Sequence, residues 1–380
     1  MKLKPLPRIE INLDKIQHNA TVLKHLCEAK GVEVTAVVKG VCADLQIVNA
    51  IVQAGITRLA VSKTIHLEKL KRANINATLI MLRTPGMSEV PSVVKYADIS
   101  MNSDINVIRA LSNEAIKQGK VHQIIIMVEM GDLREGVMPE DLPELIRETM
   151  KLPGVEIVGI GTNFACFGGV IPTEEKMREF SSLAEQIRHQ FSLPLPIVSG
   201  GNSSNLKWLF ETNDIGAVND IRLGESILLG REPVEGSMIQ NLYQDTFKFV
   251  AEVIESKQKP SVPYGYRGKN GFGEIIEFKD HGWMNHILVG VGRQDVCVQG
   301  LTPIKPLKIL GASSDHIVID GKNTQLKAGD EVTFTPNYAA VLSLMTSPYI
   351  HKTYIEFKGS KREKPNNVYS IYKQKFIPWH

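Results

Sequence analysis

From about residue 34 to residue 230 the chain alternates short β-branched runs with longer stretches whose apolar positions recur at helical spacing. The runs fall at residues 34–38, 58–61, 78–82, 98–101, 123–130, 155–161, 195–198 and 214–218, and predict eight strands. Between them, residues 45–53, 64–73, 105–117, 142–150, 174–190 and 204–212 carry the 3.6-residue period of amphipathic helices. Strand followed by helix at this spacing builds parallel βα units. Eight units close into a (β/α)8 barrel, with an open doubly wound sheet as the alternative. The open sheet lacks its G-x-G-x-x-G turn after the first strand, so the barrel is the expected fold.

Past residue 230 the alternation stops. Residues 246–255, 287–292, 308–310, 316–319 and 331–335 read as strands separated by Pro, Gly, Asp and Asn, the punctuation of a small β domain. The boundary is expected within 231–240, giving a barrel over 1–235 and a mostly β domain over 236–380. An opening strand over residues 8–13, followed by a helix capped by Asp14, is expected to join the β domain in space.

Length and charge narrow the class. At 380 residues, the chain exceeds what a single core usually supports, in keeping with two domains. A net charge of +3 gives no electrostatic footprint for nucleic acid or an anionic membrane. The basic cluster from Lys358 to Lys364 reads as a solvated tail. No run is long enough to span a bilayer. Met1-Lys2-Leu3-Lys4-Pro5 runs into proline and charge instead of an apolar leader. The four cysteines are widely spaced, without a C-x-x-C pair. Together these predict a soluble, cytoplasmic protein with free thiols.

Chemistry gathers where the barrel strands end, the rim that holds barrel active sites. Lys39 follows the first strand in Ala36-Val37-Val38-Lys39-Gly40. Arg134 lies past the fifth and Asn163 past the sixth. Ser203 and Ser204 follow the seventh in Ser199-Gly200-Gly201-Asn202-Ser203-Ser204, and Arg222, Gly224 and Glu225 are read as following the eighth. Loops after the seventh and eighth strands of barrels often hold phosphate, and small hydroxyls with glycine amides suit an anion. The same residues would also serve as plain helix caps. A lysine behind a Val-rich strand is either paired with a barrel carboxylate or desolvated into a nucleophilic amine able to condense with an aldehyde. A phosphate cradle and such an amine on one rim point to pyridoxal 5'-phosphate.

These motifs, with Glu129-Met130-Gly131-Asp132-Leu133-Arg134-Glu135-Gly136, Pro263-Tyr264-Gly265 and Gly292-Arg293-Gln294-Asp295, resemble the alanine racemase-like pyridoxal-phosphate family (fold type III), most closely its ornithine racemase branch. The resemblance runs from Arg8 to about Pro348. It implies a homodimeric racemase in which Lys39 carries the cofactor and acts as one acid/base. It also implies that Tyr264 of a second subunit is the opposed base, that Arg222 meets the pyridine nitrogen, and that Arg134 orients the substrate carboxylate or a cofactor oxygen. Where alanine racemases follow the lysine with Tyr-Gly-His-Gly, this chain has Val41-Cys42-Ala43-Asp44-Leu45. Asn163 stands where they place a histidine. Their phosphate-binding tyrosine near the C-terminal end has Thr346 and Tyr349 as its nearest candidates here. These departures turn the expected substrate from alanine to a basic amino acid: ornithine, lysine or histidine. Asp44, Asp132, Glu135, Glu225 and Asp295 are the carboxylates that could meet its distal cation, and Asp295 is placed with Arg134 in the substrate site. No metal site is expected. A lyase acting on D-amino acids through a metal would carry a His-x-Cys pair, and His281, His286 and Cys297 are not so spaced. A non-catalytic carrier of the same cofactor would lack the β domain.

Overall fold

The structure is a computed structural model that describes residues 5–355; the basic cluster at Lys358–Lys364 lies outside them, as do residues 1–4 of the opening segment. Strand β1 (Arg8–Asn12) comes first, followed by the eight strands of a closed parallel barrel. These are β2 (Glu33–Val37), β3 (Arg58–Val61), β4 (Thr78–Met81), β5 (Ile99–Asn102), β6 (His122–Val128), β7 (Val155–Thr162), β8 (Ile197–Asn202) and β9 (Asp220–Leu223). Closure is made by β2 against β9, with Glu33 opposite Asp220 and Thr35 opposite Arg222. The barrel interior is a small apolar plug that includes Ile80, Met101, Ile125, Met127 and Ile197. The helices pack outside against a larger core. The helical periods at 45–53 and 105–117 form helices Leu45–Gln53 and Ile105–Lys117.

The last barrel strand is displaced from its expected place. Residues 214–218 form a turn: Asp214 accepts from the Gly216 N–H at 2.9 Å, and Gly216 has a left-handed φ of +57°. The strand follows at Asp220–Leu223, and all four of its residues are buried. Arg222 therefore lies within the last strand instead of beyond it.

Seven further strands complete the second sheet. They are β10 (Phe247–Pro260), β11 (Trp283–Val289), β12 (Leu301–Pro303), β13 (Lys308–Ala312), β14 (Ile317–Asp320), β15 (Glu331–Pro336) and β16 (His351–Ile355). Six of them run in the order β12-β15-β10-β11-β14-β13, and β16 joins through β1. Strand β1 pairs antiparallel with β10 and parallel with β16, so the first strand of the chain belongs to the C-terminal sheet. Arg8 reinforces this join with a bidentate ion pair to Glu331, at 2.7 and 2.9 Å. The helix after β1, Leu13–Glu28, is capped by Asn12, whose side chain accepts from the Lys15 N–H at 3.0 Å; Asp14, the expected cap, sits one residue inside it. The Asn12 carboxamide wins because a cap must precede the first helical turn.

Candidate active site

Lys39 opens a short 3-10 turn directly after β2. Gly40 behind it is packed so closely that an added Cβ would meet the Tyr338 ring at 3.0 Å. Tyr338 sits in the first turn of the helix Tyr338–Thr346, which Asn337 caps by accepting from the Ala340 N–H at 3.0 Å. Burial pushes the Tyr338 hydroxyl up to about 12, with Glu225 and Cys166 adding to the shift. Lys39 makes no ion pair among the described residues. Burial lowers its proton affinity below that of an ordinary lysine; Arg134 and Arg222 push the same way, while Cys166 and Glu135 oppose them. The reading of Lys39 as a lysine neutralised by a barrel carboxylate is therefore set aside.

Arg222 is 1% exposed, the largest of the fully buried side chains. Its Nη2 donates to the Thr162 carbonyl at 2.6 Å and to Asn163 Oδ1 at 2.7 Å. Nη1 donates to the Ser199 hydroxyl and, at 3.4 Å, to the Ser199 carbonyl. The Ser199 hydroxyl in turn donates to Asp220, which also accepts from Thr35 Oγ1 at 2.6 Å. Asn163 is turned two ways, because its Nδ2 donates to Glu135 Oε1 at 2.9 Å. Glu135 in turn takes Nε and Nη2 of Arg134. One continuous chain of hydrogen bonds thus joins Arg222, Asn163, Glu135 and Arg134.

The loop carrying Arg134 is pinned from beneath. Glu129 accepts from the backbone N–H groups of Gly131, Leu133 and Arg134 at 2.6, 3.0 and 3.2 Å. Gly136 closes the loop at a φ of +152°, and a Cβ there would stand 2.4 Å from the Glu129 nitrogen. Only glycine fits such an approach. Asp132 pins the neighbouring loop by accepting from the N–H groups of Cys166, Phe167 and Gly168.

The two serines divide their work. Ser203 Oγ accepts from the N–H groups of Gly224 and Ser226, both at 3.3 Å, stitching the end of β8 to the turn after β9. Ser203 Oγ also shares a hydrogen bond with Ser226 Oγ at 3.0 Å, and the Glu225 N–H between the two amides has no partner among the described residues. Ser204 Oγ turns instead to the Phe164 carbonyl at 3.3 Å. Burial raises the Glu225 carboxyl, and Glu232 adds to the effect.

The other expected residues lie apart. Tyr264 is 89% exposed, on a segment without regular structure between β10 and β11. Asp295 accepts from the Ser347 hydroxyl at 2.6 Å within the β domain. Asp44 caps the helix Leu45–Gln53 and accepts from Tyr354 at 2.6 Å. Of the tyrosine candidates near the end, Tyr349 is 63% exposed, and Thr346 bonds back to the Leu342 carbonyl at 2.7 Å. Tyr338 was missed because nothing in Pro336-Asn337-Tyr338 marks it beyond a helix cap; the signal was the cap itself, which starts a helix facing Gly40.

The rim brings an unpaired amine and two guanidiniums together, with the carboxylate of Glu135 interposed and hydroxyls and an unpartnered N–H beside them among the described residues. The residues fit an anionic aldehyde carrying a phosphate: amine to aldehyde, Ser203 and the Glu225 N–H to phosphate, and surplus positive charge to the remaining acidic oxygens. A parallel barrel with this rim and an appended antiparallel sheet defines the class, a (β/α)8 barrel with a lysine at the end of its first barrel strand and a second, β domain. The chain belongs to the alanine racemase family: the description "Alanine racemase, N-terminal domain" matches residues 11–232. It is 42% identical to an ornithine racemase of Acetoanaerobium sticklandii over 91% of this chain and 99% of that one. It is 38% identical to a lysine racemase of Thermotoga maritima, covering 92% and 98%. Among solved structures, alanine racemase of Clostridium difficile superposes with a TM-score of 0.72 at 20% identity, covering 94% of this chain and 97% of that one. Alanine racemase of Bartonella henselae with covalently bound pyridoxal phosphate superposes at 0.70 and 20% identity, covering 92% and 100%.

Proposed function

We propose that the protein racemises a basic amino acid with pyridoxal 5'-phosphate held by Lys39, as a cytoplasmic homodimer with shared sites. The observation that carries this reading is the half-buried Lys39 amine, unpaired and flanked by two arginines. Ornithine and lysine come ahead of histidine because they are the substrates in the names of the two long-matching relatives.

When bound, the cofactor supplies an aldehyde for the substrate amine and a ring that accepts negative charge from the α-carbon. The protein's share is orientation and proton traffic. Ser203 and the Glu225 N–H would hold the phosphate, with Tyr338 closing over Gly40 beside them. Arg222 would face the ring nitrogen, where a guanidinium can only donate and so leaves that nitrogen unprotonated. Arg134 would fix the substrate carboxylate. Lys39 Nζ, with its proton affinity lowered by burial and two guanidiniums, takes or returns the α-proton on one face. The partner subunit's Tyr264 does so on the other, so the substrate need not turn over.

Exposed groups support the shared site, and the cysteines support the compartment. Tyr264 stands free of its own chain, and it shares its segment and the start of β11 with exposed Tyr266, Ile275 and Trp283. Large apolar groups left to water along one stretch of a single chain fit a surface that another copy covers. Cys27, Cys42, Cys166 and Cys297 are free thiols, the state a reducing compartment maintains.

The test is incubation of the cofactor-loaded protein with single enantiomers of ornithine, lysine, histidine and alanine, read by chiral chromatography. Loss of optical purity in the basic substrates is expected, with borohydride fixing the cofactor on Lys39. A protein that leaves every basic amino acid optically pure, or a label mapped elsewhere, overturns the reading.

A further inference from the structure

Two guanidiniums beside an amine repel one another and need an arrangement that keeps them aimed. Arg222 is fixed by backbone and hydroxyl partners inside the barrel. Arg134 is not: it projects from a loop, about a third exposed, and its side-chain bonds run to Glu135. Glu135 does not stop at its neighbour. Its Oε1 also receives the Asn163 amide at 2.9 Å, and Asn163 Oδ1 receives Arg222 at 2.7 Å.

The chemistry of this link is directional. A guanidinium can only donate and an ionised carboxylate can only accept, so a group between them must accept on one side and donate on the other. A carboxamide does both in one plane, which also settles which way Asn163 faces. An aspartate there would turn an oxygen toward the Glu135 carboxylate, and an apolar residue would break both bonds.

We propose that Glu135 is the positioning residue of the site: with Asn163 it couples the loop arginine, Arg134, to the barrel arginine, Arg222, as one rigid clamp facing Lys39. This rests on the functional reading above for what the clamp holds, while the clamp itself stands on the hydrogen bonds. Glu135 has a second consequence. The charged groups that act on Lys39 are Cys166, Arg134, Glu135 and Arg222, and Glu135 is the carboxylate among them. Removing its charge leaves the two arginines less opposed and lowers the proton affinity of Lys39 further.

Glu135→Gln, which keeps size and shape, tests this with two readouts. On cofactor-free protein, the pH dependence of Lys39 reductive methylation, followed by peptide mass spectrometry, reports the free amine. Its midpoint should move down by about half a pH unit or more, the size expected of one lost charge a few ångströms away in a partly wet site. On the loaded enzyme, KM should rise about tenfold with a smaller fall in kcat, the pattern of a substrate-orienting group set loose. In KM, Glu135→Ala added to Arg134→Gln should cost nothing beyond Arg134→Gln alone, because Glu135 orients substrate through that arginine, while the Lys39 midpoint should still move. A merely structural Glu135 would lower melting temperature and kcat while leaving the labelling midpoint and KM in place. An unmoved midpoint with unmoved KM overturns the proposal, even if racemisation and trapping at Lys39 proceed. Absence of racemisation in the wild type, together with a shifted midpoint in the variant, would instead remove the functional reading and leave the clamp.

Discussion

Asp220 is the residue whose loss should be felt furthest from its own position. It is 2% exposed and accepts from Thr35, Ser199 and, at 3.4 Å, Arg58. Through Ser199 it compensates Arg222, whose guanidinium is pulled down by burial and held up first of all by Asp220. Alanine at 220 removes two charge-assisted hydroxyl bonds and leaves a buried guanidinium without its main counter-charge, at a cost of about 3–5 kcal/mol. Asparagine keeps the shape but turns an N–H toward one of two hydroxyls that both need an acceptor, at a cost of about 1.5–3 kcal/mol. For a barrel of this size the alanine variant should melt about 10 °C lower and the asparagine variant about half as far. Calorimetry on cofactor-free protein at one fixed concentration is the assay, because bound ligand and self-association both move the transition. Adding Arg222→Met to Asp220→Asn should restore part of the loss, since neither charge is then left alone. A single asparagine variant that melts within 1 °C of wild type, or a double variant that is worse than both singles together, would refute the charge-compensation argument.

Three further outcomes are expected. His122 is 2% exposed and held neutral, its pKa pushed down by burial from 6.5 to about 4. The unfolded chain takes up that proton first, so its contribution is complete above about pH 6.5 and is lost toward pH 4, about 3 kcal/mol in all; His122→Gln should flatten that slope in urea unfolding measured across pH. Gly136→Ala places a Cβ 2.4 Å from the Glu129 nitrogen, which should cost roughly 2–4 kcal/mol and raise KM by displacing Arg134, as read by steady-state kinetics. Lys39→Ala and Tyr264→Phe proteins, each nearly inactive, should recover toward roughly one quarter of wild-type activity when their subunits exchange at random; hybrids seen by native mass spectrometry but inactive would exclude the shared site.

The barrel was legible because seven of its strands are apolar enough to announce themselves. The eighth was not, for a reason tied to function. Asp220-Ile221-Arg222-Leu223 buries two charged side chains, and a reading that equates burial with apolarity passes over it to Ala217-Val218 just upstream. The short helix Val90–Tyr96 went unread because Pro91 stands in its first turn, where proline is tolerated but looks like a breaker. In the second sheet, β12 has three residues and β16 opens with three polar ones, His351-Lys352-Thr353, without alternation, so neither carried enough pattern. The rim positions of Lys39, Asn163 and Ser203 could be read because the ends of their strands can be located from sequence, whereas Arg222 and Gly224 were reached through their motif although the last strand was misplaced. Glu135 could be suspected only as one of five carboxylates. Its bonds to Arg134 and Asn163 depend on how two loops meet, and sequence spacing does not encode that.

The placement of β1 bears on how two copies could complete each other's sites. A residue lent to a neighbour's active site is useful only if the arm that carries it is fixed to its own barrel; otherwise each approach would have to order the arm as well. Here β1 lies in the C-terminal sheet between β10 and β16, and the helix Leu13–Glu28 that follows it returns at once to the barrel. Asn19 on that helix donates to the Ile227 and Tyr243 carbonyls at 3.2 and 2.8 Å and accepts from the Tyr243 N–H at 2.8 Å, bonding to both sides of the crossing between barrel and sheet. From the other side, the helix Tyr338–Thr346 sets Tyr338 against Gly40, beside Lys39. The sheet is therefore tied to the barrel at the start of the chain, at the crossing and at the end. Strand β10, which leads into the segment of Tyr264, is hydrogen-bonded within that tied sheet to β1, β15 and β11. A rigid base under an exposed tyrosine is what a reciprocal exchange of bases between two barrels requires.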